Sequence, residues 1–255
     1  MFRVDLNCDL GESFGAYTLG MDADVIPHIT SANVACGWHG GDPLVMQKTV
    51  SLCHQNGVAV GAHPSYPDRM GFGRRAMSVT PDEAYAYVKY QIGALQAFCR
   101  AEGLTLQHVK PHGALYNAMG RDPRLAEAVC RGIRDCGGGL IVMALAGSAA
   151  VCAAQELGLP VAQEVFADRA YEEDGSLVDR RKEGAMITDE SAAIARVVRM
   201  VTEGRVTAVT GRDIPVAAHS VCVHGDGPKA LAFVQSIRAA LQKAGVTVAP
   251  LREVL

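Results

Sequence analysis

The sequence has no excess of basic charge. Its 255 residues include 24 Lys and Arg against 27 Asp and Glu, which gives a formal net charge of −3. This balance excludes a polybasic protein that binds nucleic acid or a membrane surface as the default interpretation. Hydrophobic residues make up 49% of the chain and charged residues 20%, which excludes a disordered protein. We therefore expect a globular protein with a small-molecule substrate, no nucleic-acid partner and no membrane contact.

Long apolar runs and paired cysteine motifs are also absent. No apolar stretch approaches the roughly 18 residues of a membrane span. The N-terminal segment MFRVDLNCDLGE lacks the apolar centre of a signal peptide. The eight cysteines are dispersed, and no two of them form a C-x-x-C motif. These features predict reduced thiols and a cytoplasmic location.

Several common catalytic motifs are missing. The chain contains no G-x-x-x-x-G-K-[ST] motif for a Walker-type ATP site, no G-x-S-x-G and no H-E-x-x-H. The segment from Gly71 to Ala76 matches G-x-G-x-x-A by letter. It follows a turn-rich stretch and starts no helix, so we do not interpret it as a dinucleotide site.

Short β-rich runs alternate with helical patterns along the whole chain. Continuous apolar runs are typical of parallel strands that are covered on both faces. Strands are predicted at Arg3–Cys8, Ser31–Cys36, Val58–Ala62, Leu106–Lys110, Leu140–Leu145, Val161–Phe166 and Ser220–Val223. Helices are predicted to start at Asp42-Pro43, Thr80-Pro81, Asp122-Pro123, Thr188 and Gly227-Pro228. The pattern predicts an α/β fold of about seven parallel strands, as a closed barrel or an open doubly wound sheet, with residues 1–255 as one domain.

Polar side chains that can carry chemistry fall just after the predicted strands. They are Asn7, Asp9, His39, His63, Lys110, His112, Asp168, Arg169, His224 and Asp226. In a parallel α/β fold these positions converge on one rim, where ligands bind. Imidazoles and carboxylates on one rim can transfer protons or hold a metal ion.

Each of these residues also has a purely structural interpretation. The first two can cap a turn, the histidines after strands can be core residues with satisfied hydrogen bonds, and Asp168-Arg169 can be a surface ion pair. His28, His54, His108 and His219 are interpreted as structural. The loop from Pro67 to Arg75, with three arginines and two glycines, either closes over an anionic substrate or is a solvated basic loop.

Seven ordered blocks of sequence resemble the LamB/YcsF family, and together they cover nearly the whole chain. The blocks are Asn7-Cys8-Asp9-Leu10-Gly11-Glu12, Ala32-Asn33-Val34-Ala35-Cys36-Gly37-Trp38-His39, His63-Pro64-Ser65-Tyr66-Pro67-Asp68, Gly71-Phe72-Gly73-Arg74-Arg75, Lys110-Pro111-His112-Gly113-Ala114-Leu115-Tyr116-Asn117, Phe166-Ala167-Asp168-Arg169 and Val223-His224-Gly225-Asp226.

The resemblance implies a (β/α) barrel of about seven strands, similar to the glycoside hydrolase/deacetylase barrels. It also implies ATP-dependent ring opening of 5-oxo-L-proline to L-glutamate, with ADP and phosphate, in a complex with 5-oxoprolinase subunits B and C. Those partners would handle the nucleotide, which suits the missing Walker motif.

Roles for individual residues follow from this implied reaction. Asp9 or Asp168 would act as the base towards water, and His63 and His112 would carry a proton to the ring nitrogen. Lys110 and Arg169 would pair with negative charge on the intermediate or the substrate carboxylate. The pocket would be lined by Asn7, Glu12, His39, His224 and Asp226.

Two other functions remain open from the sequence. A metal-dependent amide hydrolase or deacetylase would use Asp9, His63, His112 and Asp226 as ligands for a divalent ion. No bound metal is predicted on the main interpretation. The second alternative is a non-catalytic subunit that binds 5-oxo-L-proline and presents it to its partners.

Overall fold

Seven parallel strands close into a barrel in a computed structural model that describes residues 2–223 and 230–255. The strands of the described chain are β1 (Arg3–Leu10), β2 (Ser31–Ala35), β3 (Ala59–His63), β4 (His108–Val109), β5 (Ile141–Leu145), β6 (Val161–Phe166), β7 (Arg205–Thr207), β8 (Asp213–Pro215), β9 (Ser220–Val223) and β10 (Thr247–Val248). The barrel runs from β1 through β6 to β9, and β9 pairs with both β6 and β1. This closure confirms the predicted barrel and is incompatible with the open sheet.

The two remaining pairings lie outside the barrel wall. Strands β7 and β8 form a small antiparallel hairpin, and β10 pairs in parallel with the start of β1. The helices are α1 (Asp22–Val25), α2 (Pro43–Asn56), α3 (Pro81–Ala101), α4 (Gly113–Met119), α5 (Pro123–Arg134), α6 (Ala149–Glu156), α7 (Glu190–Glu203), α8 (Ala230–Lys243) and α9 (Leu251–Val254). A 3-10 turn, Ile26–His28, follows α1.

Side-chain caps explain where the long helices begin. The Asp42 carboxylate accepts hydrogen bonds from two backbone N–H groups of α2. Thr80 and Glu83 form a reciprocal capping box at the start of α3. The predicted cap at Thr188 is wrong by one residue, because Asp189 accepts the hydrogen bond from the first turn of α7.

The two faces of each barrel strand differ in polarity. On β1 the residues that face the helices are buried and apolar: Val4, Leu6, Cys8 and Leu10. The alternate residues Asp5, Asn7 and Asp9 point into the barrel, as the two-residue period of a strand requires. The main apolar core therefore lies between the strands and the helices, and the barrel interior is polar.

Hydrogen bonds join the polar residues at the amino-terminal end of the interior. The Asp5 carboxylate accepts from the hydroxyls of Ser31 and Ser220 at 2.6 and 2.5 Å, and also from Thr30. Burial raises the pKa of Asp5 to about 6, although these hydrogen bonds oppose the shift. Asn7 continues the network towards the other end by donating to Ser220 and Glu164.

Two observations concern the sequence predictions about membranes and thiols. No helix in the described part of the chain is both long and apolar enough to cross a bilayer. All eight cysteines are free thiols, and six of them are buried. Their burial agrees with small core side chains.

Candidate active site

The carboxyl-terminal end of the barrel collects the predicted polar residues of β1, β3 and β4. Asp9 lies near the end of β1, His63 ends β3, and Lys110 directly follows β4. The two carboxylate oxygens of Asp9 are 3.0 Å from Lys110 Nζ and 3.3 Å from His63 Nε2. Asn33 on β2 donates a further hydrogen bond of 2.8 Å to Asp9. Four barrel elements therefore fix this carboxylate.

Lys110 is buried in a cage of acceptors. Its Nζ lies 2.7 Å from Glu164 Oε1 and 3.0 Å from Asp9 Oδ1, with Asn7 Oδ1 and Cys222 Sγ both at 3.2 Å. Burial alone would lower the pKa of Lys110, but the nearby carboxylates raise it well above its usual value. The ammonium is thus charged, and protein groups use its three N–H bonds. An anion of the substrate would have to replace one of these partners.

His63 and His112 form a buried pair whose outer nitrogens face backbone carbonyls. His63 Nδ1 lies 2.6 Å from the carbonyl oxygen of Lys110, and His112 Nε2 lies 2.9 Å from that of Phe72. A carbonyl oxygen only accepts, so both of these nitrogens carry hydrogen. The inner nitrogens, His63 Nε2 and His112 Nδ1, are 2.9 Å apart. Burial lowers the pKa of His112 well below its usual value, and the neighbouring His39 and His63 add to this effect.

The loop after β3 supplies the carbonyl that fixes His112. Phe72 has a φ of +52°, in the left-handed region that non-glycine residues rarely adopt. The next residue, Gly73, has a φ of +64°, and a Cβ there would lie 2.8 Å from His112 Cδ2 and from His39 Cβ. The loop thus packs directly against two histidine rings.

The three arginines of this loop are engaged with the protein. Arg75 pairs with the buried carboxylate of Asp68, and Arg69 stacks over the ring of Phe14 at 3.7 Å. Arg74 lies 5.0 Å from the ring of Phe72. In this structure the segment from Pro67 to Arg75 is a wall of the site. Its predicted closure over an anionic substrate stays a prediction.

Glu12 and His39 approach the histidine pair from the loops after β1 and β2. His39 Nε2 lies 2.9 Å from Glu12 Oε1, which lies 3.6 Å from His112 Nδ1. The rings of His39 and His112 stack with centroids 3.7 Å apart. Burial, together with the neighbouring His63, lowers the pKa of His39 well below its usual value.

Four ligand atoms from Glu12, His39, His63 and His112 lie within 4.8 Å of one another. We call these four residues the Glu–His cluster. It shares two histidines with the predicted metal-ligand set. Glu12 and His39 stand in place of Asp9 and Asp226.

The remaining predicted site residues fall into two groups. Asp168 and Arg169 follow β6, at the same end of the barrel but outside the contacts described above. Arg169 is buried and donates to the carbonyl of Val178 at 2.6 Å, and burial lowers its pKa to about 10. His224 and Asp226, with the predicted helix start at Gly227-Pro228, lie outside the described residues.

Glu164 is the main functional residue that the sequence analysis missed. It is fully buried on β6, pairs with Lys110 and accepts a 2.6 Å hydrogen bond from the Tyr116 hydroxyl. An acidic residue inside the otherwise apolar end of β6 was the available signal. His108, interpreted as structural, lies inside the barrel and is 2.8 Å from Asn33 Oδ1.

Comparison with known proteins places the chain among close relatives. The model of the LamB/YcsF family matches residues 4–255. A Clostridium beijerinckii protein, which carries the name of the 5-oxoprolinase subunit designated A, is 60% identical over 254 residues, and the alignment covers 100% of both chains. A Bacillus subtilis protein of the same name is 52% identical over 253 residues, covering 99% of this chain and 98% of that protein.

Solved structures agree with the barrel. The crystal structure of a lactam utilization protein from Thermus thermophilus has a TM-score of 0.91 and 46% identity, covering 97% of this chain and 99% of that one. A variant of the peptidoglycan deacetylase PdaC from Bacillus subtilis has a TM-score of 0.50 at 11% identity, covering 99% of this chain and 91% of that one. The second likeness concerns the fold alone.

Proposed function

Because the chain belongs to the LamB/YcsF family, we propose that it is the lactam-opening subunit of a 5-oxoprolinase, with residues 1–255 acting as one catalytic barrel domain. The substrate is 5-oxo-L-proline, and the products are L-glutamate, ADP and phosphate. The relatives' name and the lactam utilization protein support the substrate class. The observation that carries the proposal is the hydrogen-bonded chain from Asp9 through His63 to His112 at the barrel rim.

Asp9 is the general base of this proposal. Its side chain is 17% exposed, whereas those of His63 and His112 are 1% and 4% exposed. Asp9 is therefore the member of the chain that can meet a water molecule. It takes a proton from the water that attacks the lactam carbonyl carbon. The ring C–N bond then breaks, and the leaving nitrogen takes a proton through His63 and His112.

Lys110 acts through Asp9 in this scheme. The ammonium lies 3.0 Å from Asp9 Oδ1 and favours the ionised carboxylate, which is the form that a base requires. Glu164 and Asn7 hold the ammonium from the other side. Contact between Lys110 and negative charge on the intermediate stays a prediction.

The remaining predicted residues complete the pocket. Arg169 is the candidate partner for the substrate carboxylate, and Asp168 is the second candidate base. Glu12 and His39 are predicted to line the pocket, as are His224 and Asp226.

ATP enters as a co-substrate. A lactam is a stable amide, and phosphorylation of its oxygen supplies the leaving group that hydrolysis requires. Since the chain has no Walker motif, we assign nucleotide handling to 5-oxoprolinase subunits B and C.

The test measures glutamate release from 5-oxo-L-proline, with and without ATP, for the chain alone and mixed with subunits B and C. We expect glutamate only in the mixture with ATP. Asp9→Asn should lower turnover by about 100- to 10,000-fold, which is the usual contribution of a general base. Asp82→Asn, at an exposed aspartate of α3, is the matched control and should keep normal turnover.

Three results would contradict parts of this proposal. Near-normal turnover of Asp9→Asn would remove Asp9 as the base. Absence of glutamate in every combination would favour the metal-dependent amide hydrolase. Binding of 5-oxo-L-proline to the chain alone, with rim substitutions that weaken binding but leave the chemical step intact, would favour a non-catalytic subunit.

A further inference from the structure

We propose that the Glu–His cluster (Glu12, His39, His63 and His112) binds one divalent transition-metal ion. The inference rests on ligand geometry alone and goes beyond the proposed lactam hydrolysis. Imidazole nitrogens together with a carboxylate oxygen form a donor set that suits Zn²⁺ and its first-row neighbours.

The first argument is the orientation of the histidine pair. Carbonyl oxygens at 2.6 and 2.9 Å hold the hydrogens on His63 Nδ1 and His112 Nε2. In the neutral rings, His63 Nε2 and His112 Nδ1 are then two lone pairs only 2.9 Å apart. Two lone pairs at this distance repel each other unless a cation lies between or beside them. Ligating histidines usually donate their second N–H to a carbonyl or carboxylate, and both rings do so here.

The second argument is the spacing of the donor atoms. Bonds of about 2.1 Å to a tetrahedral ion place neighbouring ligand atoms about 3.4 Å apart. The measured separations bracket this value: 2.9 Å for His63–His112, 2.9 Å for His39–Glu12 and 3.6 Å for Glu12–His112. Small side-chain shifts would therefore give all four atoms a common centre.

The third argument is the surroundings of the cluster. His39 Nδ1 is buried and has no hydrogen-bond partner among the described residues, so the ring gains little from its present contacts alone. Phe72 adopts a left-handed backbone conformation, which costs about 1–2 kcal/mol, and its carbonyl fixes His112. A strained residue that orients one ring is typical of a site whose geometry has to be held.

The test measures metal binding by the full-length chain after any histidine tag has been removed. Metal content is determined by mass spectrometry of the purified protein, and the metal-free chain is titrated with Zn²⁺ and with Co²⁺, whose visible absorption reports coordination. We expect one ion per chain. His112→Ala and Glu12→Gln should each weaken binding by at least about 100-fold, since loss of an outer-sphere partner alone costs about 10–100-fold. His54→Ala removes an exposed histidine of α2 and should bind like the wild type.

Circular dichroism and thermal unfolding check that each variant is folded, and Zn²⁺ should raise the melting temperature of the wild type but not of the folded cluster variants. Should His112→Ala not fold, His39→Gln replaces it. A wild-type chain that binds no metal, or binds it no better than the cluster variants, overturns the inference and leaves a proton shared by the two histidines.

Metal content and turnover are separate readouts. Stoichiometric metal without glutamate release would refute the proposed function alone. Turnover in a chain that binds no metal would refute this inference alone.

Discussion

Replacing Lys110 with methionine removes a charge from the barrel interior while keeping much of the side-chain volume. In the wild type the ammonium lies 2.7 Å from Glu164 and 3.0 Å from Asp9. The Glu164 side chain is fully buried, whereas that of Asp9 is 17% exposed. In Lys110→Met, Asp9 can regain contact with water. The Glu164 carboxylate cannot, and it stays in the interior without its cation.

The expected loss of stability follows from this difference. Removing one partner of a buried ion pair costs about 3–5 kcal/mol, because the remaining charge is uncompensated. We expect Lys110→Met to lower the free energy of unfolding by about 4 kcal/mol at pH 7, with Glu164 as the dominant contributor. Urea unfolding followed by circular dichroism measures this change, provided that the denaturant slope is unaltered.

The double variant Lys110→Met/Glu164→Gln identifies the cause. An amide at position 164 carries no charge and can still accept the hydrogen bond from the Tyr116 hydroxyl. Its NH₂ group would face the Asn7 amide that now donates at 3.0 Å, and such a mismatch costs about 1–3 kcal/mol. We therefore expect the double variant to regain only about 2 kcal/mol relative to Lys110→Met.

The control is Lys48→Met, at an exposed lysine of α2, which should change stability by no more than about 0.5 kcal/mol. A loss below about 1 kcal/mol for Lys110→Met would refute the uncompensated charge as the cause. So would a double variant no more stable than the single one.

Three other substitutions test the interior, the site wall and a helix start. Below pH 4 the Asp5 carboxyl is protonated in the folded and unfolded chains; its raised pKa of about 6 makes ionisation costly only in the folded chain, so its contribution to stability is lost as the pH rises to 6. Wild type relative to Asp5→Asn should thus lose about 3 kcal/mol between pH 4 and 7, and parallel urea-unfolding profiles would contradict this. Gly73→Ala should cost about 2–4 kcal/mol, from left-handed backbone and a Cβ 2.8 Å from two histidines, and more than Gly15→Ala, which has a positive φ but open space; equal losses would argue against the clash. Thr80→Ala removes the cap of α3 and should cost about 1 kcal/mol in the same assay, whereas no loss would show that the cap is dispensable.

Local patterns predict the barrel strands well where buried runs are apolar. The predicted bounds of β6 and β9 match the structure to the residue, because Val161–Phe166 and Ser220–Val223 are bounded by turn residues. Strand β4 is shorter than the predicted Leu106–Lys110, and Pro111, which has no N–H to donate, limits its extension. Helix α4 gives no usable signal, because it has seven residues and its first turn has no side-chain cap.

The site is only partly predictable for a different reason. The rim position of Asp9, His63 and His112 follows from parallel strands, which all end on one side. The meeting of Glu12 with His39 does not, because it depends on how closely two loops approach. A Cβ at Gly41 would lie 2.8 Å from the Gly11 carbonyl oxygen, so a glycine allows this approach. No periodicity in the sequence encodes such a contact.

The polar barrel interior also restricts how the strands can align. Asp5, Asn7 and Asp9 occupy alternate positions on β1 and each has partners on neighbouring strands. A slip of β1 by one residue would turn all three towards the apolar helices and turn Leu6 and Cys8 inward. Three polar groups would then lose their hydrogen bonds together, at about 1–3 kcal/mol each. The same side chains that form the floor of the site therefore disfavour misaligned barrels during folding.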